Sequence, residues 1–336
     1  MASALGKLSE CAGAIQESFK TLGDDPNVHR LPFYSEGLQD PGRMGRDDEL
    51  GNAVHNPYDE TDPAPTLVNV SGPVVVAADM NTLPFWLSLL FGSPSAPTGS
   101  GPYSRVFTSA VEPDFGTVQF KTAASRWKVI SGLAFSGLDF DLTKQDGYRQ
   151  FTFAGAARDV TIVDDDENLP LDLTGVTSPA RAKAPATVGE LLINDTAVGR
   201  LTGGRFSYQS GLNRQDYVDG DARASEMERD GGTTVTLTPT IRLGRAASQN
   251  GILDLLQGAQ NPVTGAPKTP FNCKLRLSIG AGLQVTFEMP RCFGERKVET
   301  IGGPGGLEIT PEIRATQSAT APAVTATLVN AVAAFS

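Results

Sequence analysis

Histidine is close to absent from this chain: His29 and His55 are the two among 336 residues. Both fall in a polar stretch, with no cysteine or second histidine at the short spacing that zinc ligands take. Solvated loop side chains are the plainer reading of each. Tryptophan is equally scarce, with two residues, and Trp86 lies on the apolar face of a predicted helix. Sugar sites usually offer aromatic platforms, and few are on offer here. A hydrolase needs as few as two facing carboxylates, but among 38 acidic residues nothing singles out a pair. No Gly-x-Ser-x-Gly elbow occurs; its nearest relative, Phe135-Ser-Gly137, lies inside an alternating strand pattern. No Gly-x-x-x-x-Gly-Lys-Ser/Thr occurs either. Gly302-Gly-Pro-Gly-Gly306 has no following lysine and runs into strand-like Leu307-Glu-Ile-Thr310, so it reads as a wide turn. No run approaches the roughly 20 apolar residues that span a bilayer. The first ten residues lack the basic-then-apolar order of a secretory leader.

Three cysteines, Cys11, Cys273 and Cys292, suit a chain made in a reducing cytosol. The last two have the option of meeting across neighbouring strands, and buried free thiols are the simpler expectation. Asp164-Asp-Asp-Glu167 and Asp219-Gly-Asp221 are acidic, but their spacing does not wrap a calcium ion. Solvated acidic loops are expected at both. No catalytic, cofactor-binding or metal residue is therefore nominated, and no cofactor is expected.

What the chain has in excess is acid, glycine and proline. The formal net charge is −10, which argues against a surface that grips nucleic acid and suits one that repels phosphate. With 36 Gly and 23 Pro, turns are many and helices few. Leu5, Leu8, Ala12, Ile15, Phe19 and Leu22 recur at steps of three and four, predicting an amphipathic helix within residues 4–22. Residues 23–66 have no period and read as an extended arm. Residues 67–77 predict a first core strand with a bulge or break at Gly72-Pro73. A helix follows, with Asn81 or Thr82 as cap, Pro84 in its first turn, an apolar face of Leu83, Trp86, Leu87, Leu90 and Phe91, and Gly92 as its end.

Strands then dominate. They are predicted near 103–109, 115–122, 127–142 and 148–163, with a bulge at Ser136-Gly137 where the alternation Leu133, Phe135, Leu138, Phe140 slips phase. More follow near 188–194, 197–210, 233–243, 273–279, 283–289, 307–314 and 323–330, and a short helix is predicted at 251–257. The loop from Asp164 to Pro185 is expected to reach outward. Two β-rich blocks resemble each other: one holds Ser131-Gly-Leu-Ala-Phe-Ser-Gly-Leu-Asp-Phe-Asp-Leu142, the other Gly203-Gly-Arg-Phe-Ser-Tyr-Gln-Ser-Gly-Leu212. The fold class expected is mainly β: an antiparallel sandwich or partial barrel with duplicated blocks, one flanking helix and an extended N-terminal arm. Residues 1–66 form the helix and arm, and 67–336 the β domain, with blocks near 103–163 and 188–243 and closing strands over 273–330.

The order of these features resembles the tail tube (major tail) proteins of long-tailed bacteriophages, of the siphovirus-like kind. The resemblance rests on Gly45-Arg-Asp-Asp-Glu-Leu-Gly51 before a strand ending Val74-Val-Val-Ala-Ala-Asp79. It continues through the helix ending Leu87-Ser-Leu-Leu-Phe-Gly92, Tyr103-Ser-Arg-Val-Phe-Thr108, the doubled block, Gly306-Leu-Glu-Ile-Thr310 and a last strand closing on Thr327-Leu-Val-Asn330. It implies a structural virion protein without catalytic residues, made in the host cytoplasm. Copies would assemble into stacked, commonly hexameric rings that form a hollow conduit for genome ejection. Its partners would be itself and other tail proteins at the tube ends, with DNA passing through the lumen unbound. A carbohydrate- or cell-surface-binding β-sandwich module is the alternative from another class, and a hydrolase a weaker third.

Overall fold

The computed structural model describes residues 9–24, 26–42, 45, 64, 66–109, 112–198, 200–244, 255–256, 263–266, 269–280, 282–296 and 306–333. In chain order the strands are β1 Cys11–Ile15, β2 His29–Arg30, β3 Ser35–Glu36 and β4 Val70–Ala77, followed by the helix α1 Leu83–Phe91. Then come β5 Tyr103–Thr108, β6 Gly116–Ala123, β7 Arg126–Asp141, β8 Gln150–Ala157, β9 Asp159–Val163, β10 Glu190–Ile193 and β11 Thr196–Ala197. The rest are β12 Leu201–Gln209, β13 Leu212–Gln215, β14 Glu226–Arg229, β15 Thr234–Arg242, β16 Phe271–Ile279, β17 Leu283–Gly294, β18 Glu308–Ile309, β19 Ile313–Ala315 and β20 Thr325–Asn330.

All the pairings between these strands are antiparallel. One sheet runs β3-β4-β8-β7-β12-β15. A second runs β5-β20-β17-β16-β10-β11. Strand β19 pairs with both β15 and the end of β17, so the two sheets are stitched at one corner without closing into a barrel. The first half of β7 belongs to a further sheet, β2-β1-β6-β7-β9.

The pattern of burial explains this sandwich. β15 and β16 alternate buried and half-buried residues along most of their length, as sheets with one covered face require. In β7 the buried set shifts phase between Phe135 and Leu138, and the register against β8 slips between Phe135 and Gly137. The expected bulge is there, and it keeps both halves of a 16-residue strand facing the core. A second device lies at Gly132, where φ is +64° and a Cβ would stand 2.7 Å from that of Arg158. This is where β7 passes from the β6–β9 sheet into the main one.

Four rings tie the two main sheets. Phe140, Phe151 and Phe206 come from the first sheet and Phe287 from the second. Phe140 lies 4.5 Å from Phe151 and 5.0 Å from Phe206, and Phe287 lies 5.0 Å from Phe206, centroid to centroid. The two resembling blocks meet here, because β7 and β12 pair directly with Phe140 opposite Phe206. A second run of rings, Phe153, Phe135, Trp86 and Phe85, carries the core into α1.

Several expectations are corrected. Within residues 4–22 the described part is not helical: residues 11–15 form β1, paired along β6, with Ala12 and Ala14 fully buried. Of the residues that set the helical spacing, Ala12 and Ile15 stand on this strand, and Leu5 and Leu8 lie outside the described residues. The first core strand is unbroken, for β4 pairs with β8 over eight consecutive residues. Gly72 serves a different end: with φ +155°, a Cβ there would come within 2.0 Å of the Gly37 carbonyl oxygen. That contact lets residues 34–39 lie along the outer edge of β4, which tolerates Pro73 because it is near the sheet margin. Helix α1 has every residue buried, not one face. Thr82 stands at the N-cap as expected, but its side chain makes no cap hydrogen bond, and the Asp79 carbonyl takes the Leu83 N–H at 2.8 Å. The helix predicted at 251–257 lies outside the described residues apart from 255–256, which are helical.

Phe287→Ala removes the one ring of the four that the second sheet supplies. It is expected to lower unfolding free energy by about 3–5 kcal/mol, read as a shift of the urea midpoint with an unchanged slope.

Candidate assembly surfaces

The His and acidic residues weighed in the sequence, where described, are engaged in local contacts. His29 sits on β2 opposite Gly13, 6.3 Å from the Phe85 ring, and burial pushes its pKa down; His55 lies outside the described residues. Asp164 pairs with Arg126, Asp165 accepts the Glu167 N–H, and Asp166 accepts the Trp127 indole N–H. Asp219 accepts from Ser225, and Asp221 pairs with Arg158 at 2.7 Å. Among the described residues no group of three His, Cys, Asp or Glu is placed to hold a metal. Cys11, Cys273 and Cys292 are free and buried, and the neighbouring Cys292 together with burial pushes the Cys273 thiol far above its usual range. Of Gly302–Gly306 only the last glycine is described. Among the described residues no helix is long and apolar enough to cross a membrane.

The loops expected to project are folded onto the body. Leu171 is fully buried against Ala12 and Ala14, and its carbonyl accepts from the Gln119 side chain at 3.0 Å. Residues 211–232 form the β13–β14 hairpin, which continues β12 and β15 past Gly211 and Gly231. Arg229 of this hairpin donates to the Leu90 carbonyl, so it satisfies an end group of α1 that the helix itself leaves unpaired.

Three arginines and asparagines brace the region around α1. Arg105 is 2% exposed and donates to Asn330 and to the Ala333 carbonyl, both at 2.8 Å. Asn330 donates to the Met80 carbonyl, and Asn81 accepts the Ala331 N–H. A groove of about 750 Å³ lies over Pro84 and Ser88, lined by Gln16, His29, Arg105 and Asp114. Arg105 is fully committed below it, and burial moves the Asp114 carboxyl up and the Arg105 guanidinium down. Arg149, also 2% exposed, donates to four carbonyls, those of Asp141, Thr143, Ala186 and Val188. It clamps the β7–β8 turn to residues 184–188.

The sheet edges differ in how they are covered. Residues 34–39 cover β4, and residues 95–98 cover β5 through bonds at 2.9 Å from Ser95 to Val106 and from Thr98 to Ser104. β18 and β19 cover β15. β11 is two residues long and turns through Asn194 and Asp195, both at positive φ. β9 is different: among the described residues no strand pairs with its outer side, and it exposes Ile162 at 46%. An uncovered edge rich in β-branched residues is a template for another chain.

The described residues form a mainly β body with the enclosed helix α1 and an uncovered edge at β9. A family model described as phage tail tube protein matches residues 14–333. The chain belongs to the phage tail tube family. It is a structural protein of the virion tail. A search of curated proteins found no match. The two features of the tail tube chain that its sequence did not signal are the open edge of β9 and the group Tyr34, Tyr148, Lys183. The latter three residues are far apart in the chain and no local pattern links them.

Arg149→Met is expected to leave its carbonyls without their shared donor and to cost on the order of 3 kcal/mol, measured as a fall in the urea midpoint.

Proposed function

We propose that copies of this tail tube chain close head to tail into hexameric rings, and that the rings stack into a hollow tube through which the genome leaves the virion. The observation that carries the reading is the family match over residues 14–333. The open edge of β9 supports it, because a heterologous contact that closes makes a ring and one that repeats along an axis makes a tube. The net charge of −10 supports a wall that repels phosphate, so that DNA slides through without binding. Other tail proteins meet the tube at its ends, and the chain works without catalysis.

The arm has a narrower part in this reading than residues 1–66. Residues 9–42 lie on the folded body, with Leu31 and Leu38 buried and β1, β2 and β3 paired. Beyond them Gln39 pairs with Ser71, and Gly45 with Ala64. The segment that joins successive rings in this reading is residues 46–63, between the paired Gly45 and Ala64. Replacing 46–63 by a short Gly-Ser turn is expected to leave a folded subunit that forms rings but not tubes, as seen by negative-stain microscopy. Tubes of ordinary length from this variant would refute the arm's role.

A further inference from the structure

At the end of β4 opposite the arm, two tyrosines and two cations stand together on the surface. Tyr34 is 45% and Tyr148 48% exposed. The Lys183 ammonium lies between them, 6.0 Å from the Tyr34 ring centroid and 5.1 Å from that of Tyr148. Arg181 is beside them, its guanidinium 3.2 Å from the buried Asp79 carboxylate. Lys183 makes no ion pair among the described residues. A groove of about 330 Å³ opens next to Tyr34, lined by Arg30, Pro32, Phe33 and Ser178.

The group is held firmly. Tyr34 donates its N–H to Val75 at 2.8 Å. Backbone β-bridges join residue 183 to residue 79 and residue 148 to residue 185, and the Arg149 clamp fixes both segments. Exposed aromatics with adjacent cations on a rigid base are the composition of an interface anchor. An isolated monomer gains nothing from leaving two large rings half in water.

We infer that this surface receives the arm segment 46–63 of a second copy in the next ring. The inference rests on the proposed ring stacking. Charge selects the occupant: residues 46–63 carry Asp47, Asp48, Glu49, Asp59, Glu60 and Asp62 against Arg46 alone. They also carry Pro57, Tyr58 and Pro63, which stack well on aromatic faces. Direction selects a second copy over the same one. The pairs Gln39–Ser71 and Gly45–Ala64 stand at and before the start of β4, whereas Tyr34, Tyr148 and Lys183 gather at its other end. The eight residues of β4 alone put these ends roughly 25 Å apart. A projection at one end and its receptor at the other give a contact that repeats without closing, which is the geometry of a stack.

Zero-length carbodiimide cross-linking of assembled full-length protein, mixed from light and heavy isotope batches, tests the inference. Cross-linked peptides joining Lys183 to a carboxylate of 46–63 are expected in mixed-isotope form. The variants Lys183→Glu and Tyr148→Ala are expected to weaken ring stacking at least about tenfold, read as the protein concentration at which tubes appear, while rings persist. Reversing Asp59 and Glu60 to lysine is expected to restore stacking to Lys183→Glu. Cross-links of Lys183 confined to single-isotope pairs, or Lys183→Glu tubes that form at the unchanged concentration, overturn the inference and leave the stacking role of the arm standing. Loss of duplex DNA retention in Lys183→Glu with stacking unchanged overturns it in favour of a nucleic-acid surface. Protein that forms neither rings nor tubes overturns the ring reading, and this inference with it.

Discussion

The contact on which the rest of the structure depends is the meeting of Phe287 with Phe140, Phe151 and Phe206 across the two main sheets. Each sheet has one covered face, and neither is stable in water alone. The rings supply much of the apolar area where the sheets face each other, and their tilted packing fixes how the sheets sit. From that contact the core extends through Phe153 and Phe135 to Trp86, so α1 is enclosed at one end of the sandwich. A helix buried on every side has no surface left for a partner. The surfaces that remain for partners are sheet edges, hairpins and the groups they carry.

The edges are managed unequally. Short strands and loop straps cover β4, β5 and β15, as expected of a protein that must not pair at random. Buried arginines brace other parts of the body, Arg149 at the β7–β8 turn and Arg105 at the end of β20. Each is held by oxygen atoms of the chain itself, Arg149 through its two terminal nitrogens, so its burial stiffens the body. β9 stands outside this scheme. Among the described residues its outer side pairs with no strand.

Much of this was legible in the amino-acid sequence because it depends on period. The alternation in β7, its bulge at Ser136-Gly137 and the helix at 83–91 all follow from local spacing. What failed was local pattern read without its tertiary partner. Ala12 and Ile15 fitted a helix, but pairing with β6 made them a strand. Gly72-Pro73 signalled a break, yet the strand continues because Gly37 needs the space beside it. The loops at 164–187 and 211–232 looked solvated because acids dominate them, while a single leucine, Leu171, and the arginines Arg214 and Arg229 draw them onto the body. The grouping of Tyr34, Tyr148 and Lys183 was beyond any sequence reading, since only the folded sheet brings them together.

The central claim is that this tail tube body is built to join its own copies in an open-ended stack. Negative-stain electron microscopy of the purified full-length chain, across a concentration series, tests it most directly. Hollow rods of stacked rings that lengthen with concentration are the predicted result. A single globular particle that stays monomeric at the highest concentration would contradict the account.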